Sequence, residues 1–110
     1  MNRYVVDGVL ADMRASKRVV VVAESGPLAR RCLDECEARA VAGEKVRRAH
    51  GEERIEHPYG GRITFHTIRG GGLRGVAADV VYVDADATLE QIGELRLIVS
   101  ASPGGEVIRR

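Results

Sequence analysis

The sequence predicts an α/β domain around a mainly parallel sheet, on three observations. Two runs, Val19-Val20-Val21-Val22-Ala23 and Val80-Val81-Tyr82-Val83, are apolar at consecutive positions, as in strands covered on both faces. Segments with apolar residues at helical spacing alternate with these runs, the pattern of a three-layer sandwich with helices on either side of the sheet. Aromatic residues are only 4% of the 110-residue chain, with no Trp and one Phe, so aliphatic side chains must build the core.

Each element follows in turn. Val5, Val6, Val9, Leu10 and Met13 recur at helical spacing and predict a first helix. Lys17-Arg18 lead into the first apolar run, an interior strand. Ser25-Gly26-Pro27 opens a second helix, because proline suits the first helical position. Leu28, Cys32, Leu33, Cys36 and Ala40 form its buried stripe, and Gly43 is the expected stop. The stretch 44–56 is the most polar and is expected to wrap the surface. Ile55 to Tyr59, Gly60-Gly61 and Arg62 to Ile68 read as a β-hairpin with a glycine turn. Its second arm alternates Ile63, Phe65 and Thr67 against Arg62, Thr64 and His66, which leaves one wet face. A loop rich in glycine, Gly70 to Gly75, precedes the second apolar run, which Asp84 ends. Thr88 to Glu94 predicts a short helix, Leu95 to Ala101 a third buried strand, and Glu106 to Arg110 a short antiparallel strand folded back through Pro103-Gly104-Gly105. No repeat or linker interrupts the pattern, so residues 1–110 form one domain.

Charge excludes some function classes. Seventeen basic and sixteen acidic residues give a net charge of +1, so no strong field steers the chain toward nucleic acid or membrane. The basic set comprises fifteen arginines and two lysines. The longest apolar run is far shorter than the roughly 20 residues a membrane span needs. Asp7 and Asp12 interrupt the N-terminal apolar pattern, unlike a signal peptide, and the expected location is the cytoplasm. Cys32 and Cys36 share one helix face and read as small buried thiols. With His50 and His57 they form a conceivable zinc set, but the C-x3-C spacing on a helix lacks the tight knuckle such sites use. No metal or cofactor is expected.

Three segments in order carry a resemblance: VVVAESGPLA (Val20 to Ala29), DVVYVDAD (Asp79 to Asp86) and LIVSASPGG (Leu97 to Gly105). They resemble the strand-and-turn motif, the Walker B motif and the coupling motif of RecA-like NTPase cores, as in superfamily 2 helicases and phage large-terminase ATPase domains. Leu73-Arg74-Gly75 ahead of Asp79 is similar to the terminase approach to Walker B. The resemblance implies a truncated RecA-like core and leaves Asp84 as a remnant Walker B acid. In helicases the matching turn touches the nucleic-acid backbone, which makes Ser25, Arg30 and Arg31 candidate phosphate contacts; independently, the backbone donors of Gly70-Gly71-Gly72 with Arg74 make a candidate anion contact.

Two departures limit the chemistry. No G-x-x-x-x-G-K-[ST] segment exists, so nothing supplies the backbone cradle and lysine that hold phosphates. Ala85 follows Asp84 where the family places a glutamate to activate water. The expectation is an inactive domain, not an enzyme. It would act through a protein partner such as a related ATPase or a host's replication or packaging machinery, and would originate from a phage or mobile element. Two alternatives stay open: a single-stranded nucleic-acid accessory, and an NTPase subunit that borrows a P-loop. The lost P-loop strand would leave Leu95 to Ala101 as a sheet edge, covered by the C-terminal segment or paired in a homodimer.

Overall fold

In the computed structural model, which describes residues 1–49, 51–69, 73 and 76–109, the β-branched run becomes the centre of a sheet. The element order is α1 (Arg3–Arg14), β1 (Arg18–Ala23), α2 (Gly26–Glu37), β2 (Lys45–Arg47), β3 (Arg54–Glu56), β4 (Arg62–Thr67), β5 (Val80–Asp84), α3 (Leu89–Ile98) and β6 (Glu106–Arg109). The six strands form one mixed sheet in the order β2-β3-β4-β1-β5-β6. β1 pairs in parallel with both β4 and β5, and β5 pairs in parallel with β6. β2, β3 and the start of β4 form an antiparallel meander at the other side.

The alternation of side chains on β1 divides the core in two. Val19, Val21 and Ala23 join Ile63, Phe65, Val80 and Tyr82 beneath α1 and α2, whose Leu10, Met13, Cys32 and Leu33 fill the layer. Val20 and Val22 point to the other face and join Val81 and Val83 beneath Ile92, Leu95 and Val99. A strand apolar at every position is required because both of its faces are covered. Asn2 caps α1, Ser25 caps α2, and Thr88 with Gln91 forms a reciprocal capping box on α3.

Several expectations are corrected. The stretch Leu95 to Ala101 is not a buried strand. α3 runs on through Ile98, and residues 99–101 are turn. A short apolar run does not distinguish strand from helix. Here the capping box starts a helix that buries Ile92, Leu95 and Val99 at i, i+3 and i+7. The sheet edge imagined at 95–101, and a homodimer through it, therefore lose their basis. The C-terminal segment is a strand, but it adds in parallel to β5 after the α3 crossover instead of folding back antiparallel. Helix α2 ends at Glu37, so Gly43 is not its stop. Gly43 lies in the following turn, with φ of +90°. Strand β2 was hidden in the polar stretch because only Val46 of its three residues is even partly buried. Such charged, short strands are how sheets blunt their edges. The β3–β4 hairpin forms, but its first arm is Arg54–Glu56, and residues 57–60, where the expected arm ran on to Tyr59, belong to the connection.

A buried carboxylate ties the meander to the helices. Glu44, its side chain wholly shielded from solvent, accepts from Arg14 Nε at 2.9 Å and from the Val41 amide at 2.9 Å. Its Oε2 also lies 2.9 Å from His57 Nδ1. The Arg14 guanidinium is the main reason the Glu44 carboxyl is held down at about 2, against 4.5 ordinarily. Asp79 is likewise held at about 2, against 3.8, by the Arg18 side chain and then its amide. A carboxylate with a depressed folded-state pKa contributes stability above its unfolded pKa and loses it as pH falls through the folded value. The melting temperature should therefore be insensitive to these two groups above about pH 5 and should fall progressively toward pH 2. Glu44→Gln should cost about 1–3 kcal/mol at neutral pH and flatten that acid limb, as read from melting curves across pH.

Candidate functional site

In an open α/β sheet, ligands bind at the carboxyl ends of the strands where successive connections leave to opposite faces. β1 hands the chain to α2 on one face, and β5 hands it to α3 on the other. The crevice between these strands is thus the candidate site. Ala23 and Asp84 are register partners at its floor.

The sequence singled out Asp84 and Ser25, and the fold places both at this end of the sheet. Asp84 closes β5, and its carboxylate accepts from the Cys32 thiol at 3.6 Å. The Met1 ammonium lies 3.9 Å from the same carboxylate and is bonded more closely to Glu35, at 3.0 Å. Ser25 sits in the β1–α2 turn, where its hydroxyl accepts from the Leu28 amide at 3.4 Å, and Pro27 follows in the first turn. Arg30 and Arg31 are exposed on the early turns of α2. Neither joins an ion pair among the described residues. Arg74 and the glycines around it lie outside the described residues, as does His50.

One residue of this crevice escaped sequence reasoning. Glu24 follows β1 directly, and its carboxylate accepts from the Asp86 amide at 3.2 Å, stitching the two crevice loops together. An acid just after a buried strand was the available signal, but its partner is 62 residues away. With Asp84 and Asp86 it puts three carboxylates at this end of the sheet among the described residues, with the Met1 ammonium beside Asp84. Ala85, beside Asp84, is buried in the core under α3.

The thiols are not nucleophiles. Burial, reinforced for Cys32 by the Asp84 charge, pushes both Cys32 and Cys36 up to about 12, so both stay protonated at neutral pH. His57 is engaged with Glu44, in a hydrogen-bond network separate from that of Cys32 and Asp84. Among the described residues, no group of three or more His, Cys, Asp or Glu is arranged to hold a metal ion.

No protein-family model, curated protein or solved structure matches the chain.

Of the three segments behind the RecA-like resemblance, the first two run across the carboxyl ends of the adjacent parallel strands β1 and β5. The third, Leu97 to Gly105, occupies the end of α3 and the turns after it, so it does not follow a strand. Asp79, which the terminase-like approach motif includes, stands at the opposite end of the sheet. There its carboxylate accepts from the Arg18 amide at 2.8 Å and fixes where β1 begins. No described helix is long and apolar enough to cross a membrane.

Proposed function

We propose that this chain is a RecA-like α/β domain, three-layered around a mainly parallel sheet, that lacks a working nucleotide site and acts by contact with a protein partner. The partner class is a related ATPase or a replication or packaging assembly, in keeping with a phage or mobile-element origin. The observation that supports this reading most is the set of side chains at the carboxyl ends of β1 and β5. Where a RecA-like site would receive phosphates, the rim carries Glu24, Asp84 and Asp86, and the amide of Asp86 is engaged by Glu24. Phosphate sites need backbone donors and cations directed at the anion, and here a backbone donor at the strand ends, the Asp86 amide, is already taken by Glu24. Ala85 offers no group to take a proton from water, and phosphoryl transfer depends on positioning and charge stabilisation that this rim does not supply.

Calorimetric titration with Mg-ATP should give no binding isotherm up to about 1 mM nucleotide, weaker than the affinity that about 4 kcal/mol of binding energy provides. Magnesium-dependent ATP turnover that Asp84→Ala abolishes would overturn the reading. Single-strand binding is the second reading, favoured by the exposed Arg30 and Arg31 beside the Ser25 turn, which join no ion pair among the described residues. A gel shift with a single-stranded oligonucleotide that fades with salt and is lost in the Arg30→Ala/Arg31→Ala double variant would select it.

A further inference from the structure

The sheet face on the α3 side has an apolar cover over one half only. That core gathers Val20, Val22, Val81 and Val83 under α3 and the crossover residues Ile68, Leu73 and Val76, and none of its members comes from β2, β3 or β4. Ile55, Ile63 and Phe65 point the other way, into the core beneath α1 and α2, and Arg48 turns to that side to pair with Asp34 at 2.7 Å. Alternation along the strands therefore sets Lys45, Arg47, Arg54, Glu56 and Arg62 on the uncovered half. Thr64 and His66, hydrogen-bonded to each other at 2.9 Å, follow along β4. Strand register places Arg47 against Arg54, and Arg62 against Arg18, which shares this face with Val20. Like charges at facing positions destabilise a sheet. In each pair the chain answers one arginine only, Arg54 through Glu56 and Arg18 through Asp79 at 3.2 Å. Arg47 and Arg62 are exposed and join no ion pair among the described residues, and the same holds for Lys45. Lys45, Arg47, Arg54 and Arg62 against Glu56 leave three positive charges in excess, inside a chain whose net charge is +1. Glu53 is the other carboxylate nearby, and its charge acts on His66, four residues along β4 from Arg62.

We infer that this half of the sheet docks the phosphate backbone of duplex nucleic acid, without regard to base sequence. Lys45 and Arg47 stand two positions apart on β2, about 7 Å, similar to the separation of successive phosphates along one strand. Arg62 lies two strands away, about 10 Å, beyond the Arg54–Glu56 pair. Arginine suits the task because its planar fork donates two parallel hydrogen bonds to a phosphate. β2, β3 and β4 carry no exposed large apolar residue, so this half lacks the buried anchor around which a protein interface forms. Nor do these strands turn a Phe, Tyr, Trp, Asn or Gln onto it, the groups that stack on bases or read their edges. A surface that meets phosphates alone gains from their density. A duplex carries one charge per about 1.7 Å of its axis, against one per about 3.4 Å for each of its strands, so the duplex is the better ligand. The surface is distinct from Arg30 and Arg31, since α2 packs on the opposite face, and the inference rests on neither reading given above.

Fluorescence anisotropy of a short labelled DNA duplex of mixed sequence, titrated with the full chain, tests it. At about 20 mM salt the expected Kd is about 100 µM, the weak end of non-specific binding. Three unanswered cations predict a slope of about −3 for log affinity against log salt. Lys45→Thr, Arg47→Thr and Arg62→Thr should each weaken binding about tenfold at low salt and make that slope shallower by about one. The triple variant should not bind. None of the three should lower the melting temperature, because threonine suits a strand and each change removes unanswered positive charge. The Arg30→Ala/Arg31→Ala double variant should bind the duplex as the parent does. No binding at low salt, a triple variant that binds like the parent, or a single strand bound as tightly as the duplex overturns the inference. So does duplex binding lost in the Arg30→Ala/Arg31→Ala variant, which would move the contact to α2. Polyglutamate bound at least as tightly as the duplex also overturns it, and would assign the face to an acidic protein.

Discussion

Gly61→Ala should destabilise the protein by about 3 kcal/mol or more, because nothing near it can yield. Gly61 ends the turn between β3 and β4, where its carbonyl accepts from the His57 amide at 2.9 Å. That turn is pressed against the end of α1, with Ser16 Oγ donating to the Tyr59 carbonyl at 3.0 Å. A Cβ on Gly61 would lie 1.7 Å from the Met13 carbonyl oxygen, 2.8 Å from its carbon and 3.2 Å from Ser16 Cα. All three are backbone atoms, so relief requires moving the helix end or the hairpin. The first costs burial of Met13, wholly enclosed in the core, and the second costs the β3–β4 register. Gly8→Ala is the matching control. It lies inside α1 with nothing within 4 Å of its Cβ, and should stabilise by about 0.5–1 kcal/mol through helix propensity. Urea melts of the two variants should move in opposite directions, and a Gly61→Ala protein as stable as the parent would show that the turn is not pinned there.

Leu33→Ala should cost about 2–5 kcal/mol, the range for deleting a fully enclosed leucine. Leu33 is 0% exposed and lies in the layer where α1, α2 and the sheet meet. The same layer holds Leu10, Met13, Ile63 and Phe65, and the cost is set by how far such neighbours can move into the space. Leu28→Ala, on the same helix but 41% exposed, should cost less than about 1 kcal/mol. With little aromatic content, the protein has few large side chains to spare, so the Leu33 variant should melt well below the parent. A shift no larger than that of Leu28→Ala would contradict the assignment of this layer as the main core.

What was readable in the chain was what local pattern and composition encode. Val19 to Ala23 and Val80 to Val83 had to be covered on both faces, and Ser25-Gly26-Pro27 had to start a helix. Leu95 to Ala101 failed because leucine, isoleucine and valine at neighbouring positions satisfy either period. The Thr88–Gln91 capping box was the local clue to its helix, and Leu97 on solvent is what an interior strand would not tolerate. β2 failed because an edge strand of Lys-Val-Arg has almost no hydrophobic pattern. At the candidate site, Asp84 and Ser25 were visible as residues at strand ends. The Glu24–Asp86 bridge and the Cys32–Asp84 contact were not, since each spans more than 50 positions of chain.

The sequence by itself determined an α/β domain, its central strands, its hairpin, and the absence of a P-loop lysine. These depend on side-chain type at short spacing, where burial and backbone preference act locally. Only the tertiary structure decided that β6 runs parallel beside β5, that Glu24 meets the Asp86 amide, and that α3 turns Leu89 and Leu97 outward. Those outcomes depend on which distant segments share a face, and a face is fixed by packing against both sides of the sheet.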